Sequence, residues 1–339
     1  MNTDHVRQRT ASNPWLTLRH HLAQYPEAVA LISFILIFLF FSVVNENFLT
    51  PISISNILTF GSITGIVVIG VAMLMISGEF DLSVGSTFAV ASYVFALTLN
   101  AGVLPVAAMC LALIISLVLG LINGLIVVYT RIPSFIATLG TMLAYRGIAR
   151  AIGHGKFATY KGDHILLFDI LNGSLDRLNH LFNPPAIFRM SIIWFVLIAL
   201  LMTYVLMRTR YGNWVYATGG NRLGAYAQGV PVRLVLLINF VLAGLLAGLA
   251  GIIQFAHRTS VDPLRGAGME LIAVAAAVIG GVKLTGGYGT VLGATIGLLL
   301  IQMMDQGLVL MQVPIQVFQA FVGLLIIVAV LSNKYLGEV

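Results

Sequence analysis

The 339 residues carry a formal net charge of +6, yet only 9% of them are charged and 59% are hydrophobic. Soluble domains usually contain about 25% charged residues, so this composition excludes a water-soluble globular protein and indicates a polytopic membrane protein. The excess of basic residues is then typical of loops that face the cytoplasm, not of a nucleic-acid-binding surface. The single cysteine excludes an intrachain disulfide and a multi-cysteine metal site.

The first half of the chain predicts five membrane-spanning helices. Residues 1–27 are polar, and their arginines place this segment in the cytoplasm. Spans are predicted over residues 28–44 and 57–76, on either side of a short acidic connection. Residues 82–130 contain no Asp, Glu, Lys or Arg, which leaves enough uncharged chain for two spans of about 20 residues each. A fifth span is predicted over residues 134–151.

The second half predicts five more spans and two long loops. Residues 152–187 form the longest polar connection and are predicted to be periplasmic. Residues 208–233 contain four arginines and no acidic residue, which predicts a cytoplasmic loop. The spans are predicted over residues 191–207, 234–256, 271–282, 288–303 and 313–331. The span over 271–282 is short and could be a broken or re-entrant helix.

These elements predict an all-α polytopic protein of about ten transmembrane helices, with both termini in the cytoplasm. The predicted divisions are an N-terminal segment of residues 1–27, a single transmembrane domain of residues 28–333 and a tail of residues 334–339. Small residues at four-residue spacing, among them Gly120 with Gly124 and Gly244 with Gly248, predict close packing of helices.

Residues 76–87, ISGEFDLSVGST, hold two carboxylates, Glu79 and Asp81, between apolar runs. An acid at the centre of a span costs roughly 2.5 to 3.5 kcal/mol on insertion scales, so such residues usually face protein, water or a solute path. One interpretation is a turn at the membrane surface, in which Asp81 or Ser83 caps the next helix. The other is a broken span that contributes to the passage of a polar solute. There is also a faint echo of this segment in IGGVKLTGGYGT, at residues 279–290.

Neutral polar side chains are scattered through the other predicted spans. They could hydrogen-bond a hydroxylated solute, or each could equally bond a neighbouring helix. The candidates for the translocation path or its gate are Glu79, Asp81, Ser83, Asn123, Thr138 and Gln254.

The predicted cytoplasmic loop contains a short helix. Asn221 is a favourable N-cap, residues 222–228 can form about two turns, and Gly229 with Pro231 provides a stop. This helix could fit a groove on a partner protein, or it could rest on lipid headgroups. The residues that it would expose are Leu223, Tyr226 and Ala227.

No catalytic motif is present in the sequence. It contains no G-x-x-x-x-G-K-[ST], H-E-x-x-H or G-x-S-x-G, so neither ATP hydrolysis by this chain nor hydrolase chemistry is expected. The spacing of His154, His164 and His180 does not suggest a metal site. We therefore expect a transport subunit without catalytic residues, metal ligands or a bound cofactor.

Several segments resemble, in order and spacing, the ribose, xylose and autoinducer-2 type permeases of bacterial ATP-binding-cassette importers. Residues 77–86 are similar to the signature S-G-G-I-D-L-S-V-G-S of these permeases, and residues 273–297 are similar to their I-G-G-x-S-L-x-G-G-x-G-S-x-x-G block. Residues 221–230 lie where these permeases have G-x-N-x-x-A-A-x-x-S-G-I. The segments are residues 77–86, residues 120–127 with 132–142, residues 221–230 and residues 273–297, within a match over about residues 30–333.

The resemblance implies an inner-membrane importer of a monosaccharide or similar polyol. It implies a homodimer or heterodimer of permeases, cytoplasmic ATPase subunits that use ATP and Mg²⁺, and a periplasmic or lipid-anchored sugar-binding protein. Membrane lipids are further expected partners, and nucleic acid is not. By the same resemblance, the coupling helix that docks on the ATPase would comprise Asn221, Arg222, Leu223, Ala225, Tyr226, Ala227 and Gly229.

The sequence departs from that family pattern at five positions. Glu79 and Phe80 stand in place of Gly and Ile, and Ser134 replaces a frequent proline. Gly224 and Gln228 stand where the family prefers Ala and Ser. The replacement of Gly and Ile by Glu79 and Phe80 could alter the choice of solute, and the changes at Gly224 and Gln228 could alter ATPase docking.

Two alternatives stay open at this stage. One is a nucleoside or branched-chain amino acid permease of related architecture. The other is an ion-coupled secondary carrier that uses Glu79 and Asp81 as its coupling acids.

Overall fold

The computed structural model describes residues 26–314 and the six further positions 317, 320, 321, 323, 324 and 327. Most of the predicted N-terminal segment, residues 1–27, lies outside the described residues. The predicted tail, residues 334–339, also lies outside them, as does much of the predicted last span, residues 313–331.

The described chain is almost entirely helical. Its first five helices are α1 Pro26–Val44, α2 Pro51–Ile76, α3 Val84–Asn100, α4 Pro105–Thr130 and α5 Ser134–Ile152. A long connection then holds β1 Ala158–Thr159 and the short helices α6 Leu166–Asn172 and α7 Asp176–Asn179. The remaining elements are α8 Met190–Arg208, α9 Arg210–Gly220, α10 Arg222–Ala227, α11 Val232–Arg258, β2 Ser260–Val261, α12 Met269–Ile279 and α13 Val291–Leu310.

Within the described residues, five helices are long and apolar enough to cross a membrane, namely α2, α4, α8, α11 and α13. The helices over residues 30–44, 84–100 and 269–279 are apolar but shorter. The polytopic all-α class predicted from composition is therefore confirmed. α12 has only 11 residues, fewer than a span of about 20 requires, so it fits the predicted broken or re-entrant helix.

The start of α2 differs from its prediction, because the helix begins at Pro51 instead of residue 57. The early residues are serine-rich, which lowers their hydropathy, but the protein covers them. The Ser55 hydroxyl accepts a hydrogen bond from the Ile187 N–H at 3.0 Å, and the Thr50 side chain caps the helix. Polar side chains satisfied in this way extend a helix beyond the segment that hydropathy alone predicts.

Helices α2 and α11 form the centre of the bundle. In α2, 83% of the most apolar 18-residue stretch is buried, against 22% in α8, which therefore lies at the periphery. α11 packs against α4, α2 and α3. The main apolar core lies between these helices and is closed at one end by aromatic rings of Phe95, Phe168 and Phe255.

The contact between α4 and α11 depends on small residues, as the glycine spacing predicts. A methyl group at Gly120 would lie 2.5 Å from the Phe240 carbonyl oxygen, and one at Gly244 would lie 2.6 Å from the Ser116 carbonyl oxygen. Both neighbours are backbone atoms and cannot rotate away. The two glycines therefore allow the helix backbones to approach closely.

The connection between α5 and α8 has more structure than the sequence suggests. Strand β1 pairs with β2 in antiparallel orientation, with Ala158 opposite Val261. Helix α6 buries Phe168 and Leu171 against the end of the bundle. This polar segment therefore covers the end of the helices instead of forming an irregular loop.

We expect Gly244→Ala to destabilise the permease bundle by about 1–3 kcal/mol, because the added methyl group overpacks the contact between α4 and α11. The midpoint of thermal unfolding of the detergent-purified protein measures this change. Gly140→Ala is the matched control, since it also lies in a helix but nothing lies within 4 Å of its added methyl group. A Gly244→Ala midpoint equal to that of the control would contradict the close contact.

Candidate coupling and translocation site

The candidate site is organised around residues 77–83, which we call the α2–α3 break. Helix α2 ends here because Gly78 has a φ of +87°, a left-handed conformation that favours glycine. The Gly78 N–H donates to the Met75 carbonyl at 2.9 Å and the Glu79 N–H donates to the Leu74 carbonyl at 3.2 Å. These bonds satisfy carbonyl groups that the helix end would otherwise leave unpaired.

Asp81 is the centre of a buried hydrogen-bond network. Its Oδ1 accepts from the Ser83 N–H at 2.7 Å, and its Oδ2 accepts from Asn123 Nδ2 at 3.1 Å. Asn123 Nδ2 also donates to Ser83 Oγ at 2.7 Å, and the Tyr145 hydroxyl donates to Asn123 Oδ1 at 3.1 Å. Asp81, Ser83 and Asn123 are each at most 1% exposed, so the network joins the break to α4 and α5 inside the protein.

Helix α3 begins at this network in a way that differs in detail from simple capping. Ser83 occupies the N-cap position, but its side chain makes no capping hydrogen bond. Asp81 instead accepts the Ser83 N–H and so orients the backbone just before the helix.

Glu79 lies in the same break but has a different partner. Its Oε1 forms an ion pair with Arg222 Nη2 at 2.7 Å, and the same nitrogen donates to the Gly78 carbonyl at 3.3 Å. The Glu79 side chain is 8% exposed and that of Arg222 is 45% exposed. The structure therefore separates the two carboxylates, one in a network within the bundle and the other paired with α10.

Helix α10 has the capped geometry that the sequence predicts. Asn221 Oδ1 accepts from the Gly224 N–H at 2.9 Å at its start, and Gly229, with a φ of +81°, follows its end. Ala225 is buried against Val232 and Leu236 at the beginning of α11. Leu223 is 84% exposed and Tyr226 is 75% exposed, so the helix presents apolar surface away from the bundle.

A cleft of about 1020 Å³ opens between α10 and the turn that joins α4 to α5. Its lining includes the basic side chains Arg131, Arg222 and Arg233 together with Leu223 and Tyr226. Glu79 is the acid among the residues that line it. The cleft is therefore basic and partly apolar, with the ion pair of Glu79 in its wall.

Three glycine-rich turns meet behind this cleft, and we call them the glycine junction: Gly78, Gly219–Gly220 and Gly286–Gly287. A methyl group at Gly286 would lie 2.6 Å from Gly78 Cα, and one at Gly287 would lie 2.5 Å from Gly220 Cα. The Gly287 N–H donates to the Ile76 carbonyl at 2.8 Å. The end of α2, the end of α9 and the loop after α12 are thus in backbone contact.

Among the described residues, neither of the remaining two path candidates forms a hydrogen bond with the Asp81 network. Thr138 is buried in α5, where its hydroxyl donates to the Ser134 carbonyl at 2.7 Å. Gln254 lies in the last two turns of α11, and its buried Oε1 lacks a hydrogen-bond partner among the described residues. The structure brings together Asp81, Ser83 and Asn123, but not these two.

Sequence reasoning missed a second polar cluster, which lies around the start of α12. Arg265 forms an ion pair with Asp262 at 2.8 Å, and Arg146 Nη1 donates to the Arg265 carbonyl at 2.6 Å. Glu270, which is 9% exposed, accepts from the Gly268 N–H at 3.2 Å. The available signal was the charge in residues 262–270 directly before a short apolar helix.

The histidines provide no sign of a metal site. Within the part of the chain that the structure describes, no group of three or more His, Cys, Asp or Glu side chains could hold a metal ion. His164 instead contacts Asp169 at 2.8 Å on the surface.

Comparison with known proteins assigns the chain to a family. Residues 53–330 match the family described as the branched-chain amino acid transport system / permease component. The chain belongs to this permease family. The autoinducer 2 import system permease protein LsrC of Salmonella typhi is 36% identical to the permease over 291 residues, which cover 85% of this chain and 80% of the relative.

Other relatives of the permease agree with this match. The autoinducer 2 import system permease protein LsrC of Photorhabdus luminescens is 33% identical over 291 residues, covering 85% of this chain and 83% of the relative. That of Yersinia pseudotuberculosis serotype O:3 is 32% identical over 290 residues, covering 85% and 79%. No solved structure matches the chain significantly.

The family decides the general role of the chain. The permease is a multi-pass inner-membrane subunit of an ATP-driven importer, a transport component and not an enzyme. Permeases of this family work with an ATPase, a solute-binding protein and a second permease.

We expect Asp81→Asn to lower the stability of the permease by about 1–3 kcal/mol, because an amide nitrogen would face a donor that Asp81 now accepts from. The thermal unfolding midpoint in detergent measures the loss. Asp163→Asn, at an exposed position of the connection between α5 and α8, is the matched control and should leave the midpoint unchanged. Equal midpoints for the two variants would show that the Asp81 network does not stabilise the fold.

Proposed function

We propose that the permease imports autoinducer 2 or a similarly hydroxylated, monosaccharide-like solute. The observation that supports this substrate class is the similarity, over most of their length, to relatives that are named as autoinducer 2 import permeases.

The family description also names branched-chain amino acids, which makes an amino acid the second candidate solute. An ion-coupled carrier that uses Glu79 and Asp81 fits the geometry less well. Glu79 is engaged by Arg222, and Asp81 accepts hydrogen bonds from Ser83 and Asn123. Neither carboxylate is therefore poised to bind and release an ion by itself.

We infer that about ten helices cross the membrane and that both termini, the turn at residues 131–133 and α10 lie in the cytoplasm. The four arginines of residues 208–233 support this orientation by the positive-inside rule. Tyr129, the Arg131 turn and Arg233 then lie at the inner surface, where aromatic and basic side chains are favoured.

The solute path in this proposal runs along α5. This helix is long enough to cross the membrane but is not among the helices apolar enough to do so. It carries Arg146 and Arg150, and a methyl group added at Gly140 or Gly147 would have no atom within 4 Å. The exposed surface of α5 is otherwise apolar, and in this proposal it borders a second permease copy or the path between the two copies.

Within that path, the network of Asp81, Ser83 and Asn123 with Tyr145 forms a gate between the α2–α3 break, α4 and α5. Its hydrogen bonds hold the break, α4 and α5 together in the present conformation. Glu79, Thr138 and Gln254 are the other residues proposed for the path or its gate.

The energy for this cycle comes from the partners. Two cytoplasmic ATPase domains would bind and hydrolyse ATP with Mg²⁺, and a periplasmic or lipid-anchored binding protein would deliver the solute. The exposed Leu223 and Tyr226 of α10 would dock on the ATPase, as an amphipathic helix docks in an apolar groove.

The substrate is tested with the permease reconstituted in liposomes together with its partner ATPase and binding protein. We expect ATP-dependent accumulation of labelled autoinducer 2 or a monosaccharide, and none of labelled leucine. Accumulation of leucine would favour the second candidate. Accumulation by the permease alone under a proton or sodium gradient would contradict the ATP-driven scheme.

We expect Leu223→Asp or Tyr226→Asp to abolish uptake and to weaken co-purification of the ATPase without unfolding the permease, because a charge would enter an apolar docking surface. Leu181→Asp is the matched control, since Leu181 is 77% exposed but lies in the connection predicted to be periplasmic. Normal uptake and co-purification of the Leu223 and Tyr226 variants would remove the docking role. Labelling of Leu223→Cys only from the periplasm would reverse the proposed orientation.

A further inference from the structure

We propose that Glu79 is a positioning residue of the transport cycle: through Arg222 it transmits the movement of α10 to the α2–α3 break. This inference rests on the proposed docking of an ATPase on α10. The contact that carries it is the ion pair between Glu79 Oε1 and Arg222 Nη2 at 2.7 Å, supported by the bond from the same nitrogen to the Gly78 carbonyl.

Arg222 is well placed to report the position of α10. It is the first residue of the helix, directly after the N-cap Asn221, so its backbone moves with the helix. Its side chain is 45% exposed in the wall of the cleft, on the same element as the exposed Leu223. A partner that displaces α10 therefore displaces the guanidinium.

Glu79 is well placed to follow that displacement. Its side chain is 8% exposed, and leaving so well shielded a carboxylate without its counter-ion is unfavourable. The pair is consequently favoured to stay together while the surrounding backbone moves. The backbone of Glu79 in turn belongs to the break, so the force arrives at the end of α2.

The break distributes this displacement to several helices. The Phe80 N–H donates to Ser134 Oγ at 3.0 Å, which reaches the first residue of α5. Asp81 reaches α4 through Asn123, which the Tyr145 hydroxyl joins to α5. Movement of Glu79 therefore acts on the helices that border the proposed path.

Other contacts connect α10 to the bundle, but they act differently. The buried Ala225 packs against the start of α11, so it ties α10 to that helix and not to the break. In the glycine junction the end of α9 is in steric contact with Gly286 and Gly287, which transmits only a push, and the hydrogen bond of the junction joins Gly287 to α2 and not to α10. An ion pair resists separation, so the Glu79–Arg222 contact can also transmit a pull.

The same reasoning explains the unusual acid in the signature. Glu79 and Phe80 stand where the resembled signature has Gly and Ile, and a glycine there would offer Arg222 no carboxylate. The acid therefore adds a charged link to the break, while Asp81 keeps the hydrogen-bond network.

The first test uses the complete importer with its ATPase and binding protein and compares solute transported per ATP hydrolysed. Glu79→Gln and Arg222→Gln should keep the ATPase bound but lower this ratio about 5-fold or more, the range of a typical coupling between two sites. Arg222→Lys keeps the charge and should restore most of the ratio. Arg210→Gln is the control, because Arg210 is exposed at the start of α9 and forms no ion pair among the described residues. It should leave the ratio unchanged.

The second test does not depend on the solute. In a Cys110→Ala background, Phe80→Cys reports the break through its rate of alkylation in the permease–ATPase complex. We expect ATP with vanadate to change this rate when Glu79 and Arg222 are intact. The change should be lost in Glu79→Gln and Arg222→Gln and retained in Arg222→Lys.

Three outcomes would overturn the proposal. The Gln variants could keep both the transport ratio and the nucleotide-dependent alkylation, Arg222→Lys could be as impaired as Arg222→Gln, or the Gln variants could lose the ATPase, which would assign the pair to docking. A wrong substrate assignment would appear separately, as an absence of transport in the parent importer with a normal alkylation response. A wrong docking assignment would appear as Leu223→Asp and Tyr226→Asp variants that still co-purify with the ATPase.

Discussion

Backbone that leaves a helix inside a membrane protein must find hydrogen-bond partners, because lipid offers none. The α2–α3 break meets this constraint with partners from several elements. The end of α2 is closed by its own turn, the Phe80 N–H donates to Ser134, and the Ser83 N–H donates to Asp81. The Ile76 carbonyl accepts from Gly287. Because the partners lie on different elements, the break determines how α2, α5 and the loop after α12 lie relative to one another.

The glycine junction follows from the same constraint. The break can use the Gly287 N–H only if the two backbones touch, and a side chain at Gly286 would keep them apart. The junction also includes Gly219 at the end of α9, directly before α10. The surface offered to a partner is therefore one short turn away from the buried end of α2. In the proposed docking, a bound ATPase therefore acts on the break over a short distance.

How much the sequence predicts depends on the range of the interaction that decides each feature. The spans follow from hydropathy, and α10 follows from Asn221 and Gly229, since capping information is local. Arg222 and Gly78, which form a hydrogen bond, are 144 residues apart in sequence, and no local sequence pattern predicts this contact. The sequence also does not distinguish the roles of Glu79 and Asp81, because their different partners are set by tertiary contacts. Helices α6 and α7 were missed because they are short and owe their order to packing on the bundle end.

The two segments that echo each other in sequence also end their helices in the same way. Gly78 and Gly281 have φ values of +87° and +88°. At both helix ends, three successive N–H groups donate to carbonyls four, three and five residues earlier in the chain. The donors are Ser77, Gly78 and Glu79 at the first end and Gly280, Gly281 and Val282 at the second. The equal spacing of donors and acceptors shows that the same local turn closes α2 and α12.

After this common turn the two segments diverge, and the divergence has a physical consequence. The first places Glu79 next in the chain, where Arg222 reaches it, whereas the second places Val282 there and buries it completely. Only the first turn therefore carries a charged connection to α10, while the second segment contacts Gly78 farther along its loop, at Gly286. The same backbone turn therefore places an ion-paired side chain after one helix and a fully buried apolar side chain after the other. In the proposed docking, α10 then acts on the first segment through the Glu79–Arg222 ion pair and on the second through the backbone contact of Gly220 with Gly287.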